Sequence, residues 1–150
     1  MLTQAEADML LNIAKKLITK GAIEFPSSGE YGKLELASLD GREEFIVDIN
    51  RRGQIKLTKC TCQERYRKDI ILLRLDIDGP NHTNPDGTEL PCPHLHIYRE
   101  GFDDKWAVPL PSGRFTDVSN LVTTLFDFLR YCNVTNMDEI ASVTQGGMFS

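Results

Sequence analysis

From Lys33 onward the hydropathy of this chain runs with a period of two, and that period commits most of it to strands. Leu34 and Leu36 alternate with Lys33 and Glu35, and Phe45, Val47 and Ile49 repeat the pattern. Asp40-Gly41 between them is a hairpin signal. A turn at Arg52-Gly53 and a third short strand through Ile55 and Leu57 are predicted next. Ile70, Ile71, Leu72, Leu73, Leu75 and Ile77 form a nearly continuous apolar run, which predicts an interior strand covered on both faces. Residues 79–87 are dense in Gly, Pro, Asn and Asp and predict a loop. A strand through His94 and a short one from Trp106 to Leu110 follow, with Gly101-Phe102-Asp103-Asp104 as the hairpin between them.

Helical periodicity brackets these strands. Thr3 and Glu6 have the capping-box spacing, and Met9, Leu10, Ile13, Ala14, Leu17 and Ile18 make an apolar stripe. A helix from Gln4 to Lys20, closed by Lys20-Gly21, is predicted. Near the other end, Thr116 or Asp117 is the predicted cap of a helix whose stripe runs from Val118 through Leu121, Leu125 and Phe128 and stops near Asn133. The tail, Gly146 to Ser150, is weakly patterned. The expected fold is α+β: an antiparallel sheet of about six strands, an N-terminal helix and one or two C-terminal helices packed on one side. At 150 residues, one domain is expected.

No apolar run is long enough for a membrane helix, and no signal peptide is evident, so the expected location is the cytoplasm of a bacterial host cell. There the four cysteines are expected to be free or metal-bound rather than paired. The net charge of −5 argues against general nucleic-acid binding. Basic residues nevertheless crowd one stretch: Arg51, Arg52, Lys56, Lys59, Arg65, Arg67 and Lys68, opposed only by Glu64. That stretch reads either as a solvated strand face or as a phosphate-facing patch.

The chemistry concentrates in Pro91-Cys92-Pro93-His94-Leu95-His96-Ile97-Tyr98. On a strand, Cys92, His94, His96 and Tyr98 share one face, and Leu95 and Ile97 point to the other. Zinc takes thiolate and imidazole ligands in sets of four. If the strand ending near Cys60 and Cys62 adjoins this one, then Cys60, Cys62, Cys92 and one of His94 or His96 form a candidate site, with His82 as a substitute ligand from its loop. The cysteines read equally as buried small hydrophobes. A second reading is catalytic. His94 and His96, with Tyr98, Arg99, Glu100, Arg74 and Asp76 as possible neighbours, have the composition of a small ribonuclease-like toxin site, where a histidine acts as general base and a cation holds the phosphate.

The stretch Arg67–Ala107, with ILLRLDI, NPDG, HLHIYREG and DKWA, resembles a family of small bacterial and phage proteins. DGREEF at Asp40–Phe45 and TLFDFLRYCN at Thr124–Asn133 extend the resemblance over most of the chain. It implies cargo of a mobile genetic element. Some small proteins from that setting are anti-CRISPR inhibitors of Cas9, and at least one kind binds zinc. The expectation that follows is a non-enzymatic, zinc-binding inhibitor of a host nuclease of the Cas9 type. Its acids Asp76, Asp78, Asp86, Glu89, Glu100, Asp103 and Asp104 would meet a basic lobe of that partner and block nucleic-acid loading.

Overall fold

The computed structural model describes residues 1–19, 23–52, 59–139 and 143–145. In chain order the elements are helix α1 (Gln4–Asn12), β1 (Lys15–Leu17), β2 (Ile23–Phe25), β3 (Tyr31–Ser38), β4 (Glu44–Asn50), β5 (Thr61–Tyr66), β6 (Ile70–Asp76), β7 (His82–Thr83), β8 (Glu89–Leu90), β9 (His94–Ile97), β10 (Ala107–Pro109), helix α2 (Leu121–Tyr131), a 3-10 turn at Met137–Glu139 and β11 (Val143–Gln145). The fold is α+β. One antiparallel sheet of seven strands has the order β1-β3-β4-β5-β6-β9-β10, and β2 with β11 and β7 with β8 form two small pairs.

The predicted strands around Leu34, Phe45, Ile70 and His94 are all present. The sheet gains a seventh strand where a helix was expected. α1 begins at the predicted capping box, with Thr3 accepting from the Glu6 amide, but it stops at Asn12 rather than Lys20. Ile13 is already extended, and Lys15–Leu17 pair with Leu36–Ser38 of β3. Tertiary contacts override the helical stripe here. The Lys15 ammonium is fully buried, 3.0 Å from Glu64, and donates to the carbonyls of Leu11 and Cys132. α2 also starts later than predicted. Its cap is Asn120, because Asp117 is engaged by the Ser119 amide and Thr116 donates to Asp127. The helix end predicted at Lys20-Gly21, the turn at Gly53, the strand through Ile55 and Leu57, Lys56 and the tail from Gly146 lie outside the described residues.

Strand register sorts the central side chains onto two faces. Lys33, Asp48, Gln63, Arg74 and His96 are successive cross-strand partners, and Tyr31, Asn50, Thr61, Asp76 and His94 form the next row on the same face. The opposite face carries Leu34, Val47, Glu64, Leu73 and Ile97 in one row and Ile49, Cys62, Leu75 and Leu95 in another. This second face is the core. Ala7 and Leu10 of α1 and Leu125, Phe128 and Leu129 of α2 bury against it. The link from the end of α2 through Lys15 to Glu64 places that helix end on the same side. β6 is interior as predicted, and its two faces differ. Leu73 and Leu75 are buried on the core face, while the other face carries buried Leu72 followed by half-buried Arg74 and Asp76.

Candidate metal centre

Two histidines two residues apart on β9 share the polar face, as the strand period requires. Neighbouring β6 supplies their partners, because its register sets Asp76 opposite His94 and Arg74 opposite His96. Asp76, His94 and His96 form a group in which one ligand atom from each lies within 4.8 Å of the others, the one such group among the described residues. Both imidazole Nε2 atoms are 3.1 Å from the same carboxylate oxygen, Asp76 Oδ2. Their other nitrogens meet backbone carbonyls: His94 Nδ1 lies 3.1 Å from Pro91 O, and His96 Nδ1 lies 2.8 Å from Asp104 O. A carbonyl only accepts, so each Nδ1 carries a hydrogen, and the neutral ring presents its lone pair at Nε2. Two lone pairs and an anionic oxygen therefore converge on one point. Only protons on the rings or a cation between them makes that arrangement favourable.

The surroundings hold this geometry. His94 and His96 are each 1% exposed, so neither ring is free to turn. Thr61 Oγ1 donates to Asp76 Oδ1 at 3.2 Å and leaves Oδ2 for the histidines. Arg74 reaches His96 Nε2 at 3.0 Å, Asp76 Oδ2 at 3.4 Å and Asp104 Oδ2 at 2.9 Å. Burial pushes the Asp76 carboxyl up. When the rings are protonated, the His96 hydrogen bond and the charges of Arg74, His96 and His94 outweigh it and bring the pKa down to about 2. Asp76 is thus held ionised, as a metal ligand must be. A cleft of about 260 Å³ opens beside it, lined by Lys59, Thr61, Arg74, Asp78, His82, Cys92 and others.

This group is not the cysteine-rich set expected from the sequence. β6 lies between β5 and β9, so the strands of Cys62 and His94 do not adjoin. Cys62 sits in register with Leu75 and shares its core face, away from Asp76. Cys60 and Cys62 are both 1% exposed within the apolar cluster. The hydrogen bond that Cys62 donates to Cys60, together with burial, pushes the Cys62 thiol well up, so it stays protonated. Cys92 does approach the centre, with Sγ 3.7 Å from His94, but at Nδ1 rather than Nε2. It flanks the far side of the ring from the converging atoms. His82 packs its ring 4.5 Å from that of His96 and is tied through Nε2 to the Lys105 carbonyl at 2.8 Å, as a neighbour of the group and not a member. Tyr98 lies past the end of β9, and its hydroxyl donates to the Leu2 carbonyl.

Many of the predicted partner-binding acids have internal work. Asp76 is the carboxylate of the centre, and Asp104 holds Arg74. Asp86 accepts from the Thr88 amide and Glu100 from the Gln4 amide, whereas Asp103 is exposed in its turn. Asp78 lines the cleft, and Glu89 is exposed on β8. Within the basic stretch, Arg65 pairs with Asp48, Arg67 stacks over Tyr66 at 4.9 Å, and Arg51 donates to the Pro26 carbonyl.

The profile of a family of unknown function (DUF6978) matches residues 2–134. The chain belongs to that family. The match takes in Asp76, His94 and His96 and ends before the 3-10 turn and β11. No curated protein and no solved structure matches the chain. Among the described residues no helix is long and apolar enough to cross a membrane.

Sequence reasoning named Asp76, but as a partner-facing acid or a neighbour of the histidines rather than as a ligand. One signal in the sequence pointed to its place: Arg74 and Asp76 break an otherwise apolar strand at alternate positions, so both must look away from the core.

Proposed function

We propose that this protein binds a divalent metal ion, zinc, through Asp76, His94 and His96, and that the centre is open and reactive rather than closed and structural. The observation that carries the reading is the convergence of both Nε2 atoms on Asp76 Oδ2 while backbone carbonyls hold both Nδ1 atoms. A second hydrogen bond of this kind orients a histidine ligand and fixes its tautomer. Two imidazoles and a carboxylate suit zinc, whose catalytic sites use three protein ligands and keep a further position for water or substrate. Zinc held so would supply a water acidified to near-neutral pKa, a nucleophile for hydrolysis. The chain's own groups orient the ligands: Thr61 fixes the carboxylate, and the Pro91 and Asp104 carbonyls fix the rings.

The test is elemental analysis of untagged protein, with a thermal melt in the presence and absence of chelator. About one zinc per chain, removed by chelator and lost in His94→Ala and His96→Ala, is the expected result. Protein that takes up no zinc when offered it, or that keeps it in both variants, overturns the reading.

One observation favours a second reading, in which the site works without an ion. Arg74 donates to His96 Nε2 and neutralises part of the cluster by itself. The histidine pair would then serve as acid and base on a phosphodiester, as in a small ribonuclease-like toxin. RNA cleavage that survives chelator but not His94→Ala would favour it over the metal centre.

A further inference from the structure

We propose that the cleft beside the metal centre is a phosphate site, occupied only when the metal is in place, with Arg74 as the residue that switches between the two. This rests on the metal-centre reading above. Arginine has donors and no acceptor, so its 3.0 Å contact with His96 can only be a guanidinium N–H pointing into the Nε2 lone pair. That is the lone pair a metal ion would use. In the absence of a metal the guanidinium therefore stands in for the cation, and the two compete for one nitrogen. The fit of the guanidinium is imperfect. Its Nε is buried without a hydrogen bond and lies 3.3 Å from Asp76 Oδ1 in a direction that makes none.

A metal on His96 expels the guanidinium but does not set it free. Nη1 is held by Asp104 at 2.9 Å, on a side chain that is 29% exposed, so Arg74 pivots about Asp104 toward the cleft it already lines. The charge balance changes sign with it. Asp76, Asp78 and Asp104 outnumber Arg74 and Lys59 by one around the metal-free cleft, and a divalent ion turns that deficit into an equal surplus. An anion is then favoured where it was not before. The donors would approach from three directions: the open coordination position, the displaced guanidinium and Lys59. A tetrahedral oxyanion presents acceptors to all three, whereas a planar carboxylate does not. The ligand class is thus a phosphate or phosphate monoester.

Calorimetric titration of inorganic phosphate into the whole protein, metal-free and zinc-loaded, tests this. Phosphate should bind the zinc-loaded protein only. Arg74→Ala should bind zinc at least as tightly as the wild type, because the internal competitor is gone, and should lose phosphate affinity by tenfold or more. Lys59→Ala should weaken phosphate with zinc unchanged. Zinc uptake without phosphate binding, phosphate binding that Arg74→Ala leaves intact, or equal affinity for acetate overturns this proposal and leaves the metal centre standing. Failure to bind zinc at all overturns both. A phosphate monoester bound more tightly than inorganic phosphate would identify the ester as the source.

Discussion

The two faces of the sheet handle buried charge in opposite ways. On the core face, Lys15 and Glu64 sit 3.0 Å apart with neither side chain exposed, and the pair is closed by the Leu11 and Cys132 carbonyls. Each charge answers the other, and burial still pushes the Glu64 carboxyl up. On the polar face, Asp76 is answered by two imidazoles and a guanidinium that also answer one another, and a cleft lies beside them. A matched, dry pair is a structural device. A cluster with an excess of lone pairs and an entrance is a binding device. The difference is one of charge balance, not of burial, since His94 and His96 are as inaccessible as Lys15.

The largest expected effect tests the core pair. Lys15→Met leaves Glu64 buried and unpaired, and urea denaturation should show a loss of about 3–5 kcal/mol. Lys15→Met combined with Glu64→Leu should recover much of it, because an apolar replacement of a buried pair is often neutral. If the single and double variants are equally destabilised, the pair is not the closed unit described here.

Next is the contrast between the faces in their response to metal. At free zinc a hundredfold above its dissociation constant, the wild type should gain about 2.7 kcal/mol of stability. His94→Ala should gain none, while Cys62→Ala should gain as much as the wild type, since Cys62 lies on the core face. A zinc response abolished by Cys62→Ala would return the cysteines to the ligand set.

The pH dependence of the metal-free protein follows from Asp76. Its pKa is lowered in the fold, so its ionised form stabilises the native state at pH values above the ordinary carboxylate value of 3.8. That contribution, about 2 kcal/mol, should be lost as pH falls through the folded value of about 2. Acid titration of stability in the wild type and Asp76→Asn measures it; parallel curves would show that Asp76 is not held ionised by the cluster. The smallest effect belongs to Thr61→Val, which removes the hydroxyl orienting Asp76. Zinc affinity should fall by about tenfold with stability nearly unchanged. No change in affinity would remove Thr61 from the centre.

How much of this was legible depended on the range of the contact. The strands through Leu34, Phe45, Ile70 and His94 follow from local alternation, and the shared face of His94 and His96 follows from the same rule. The capping box at Thr3 started α1 where predicted. The end of α1 was illegible because the residues after Asn12 carry a helical stripe as well as a strand, and partners distant in sequence, β3 and Glu64, select the strand. The cysteines misled for a related reason. Cys60-x-Cys62 has the alternation of a ligand pair, but alternation says only that two residues share a face, not which face it is.

By itself, then, the sequence determined the α+β class, the positions of five of the seven strands of the main sheet, and the pairing of His94 with His96 on one surface, because these depend on periodicities within a few residues. The tertiary structure alone decided that β6 stands between β5 and β9, that Asp76 rather than a cysteine completes the group, and that Arg74 competes for the nitrogen a metal would take. Those outcomes rest on the order and register of strands distant in sequence, which are set by how the whole apolar face closes over α1 and α2.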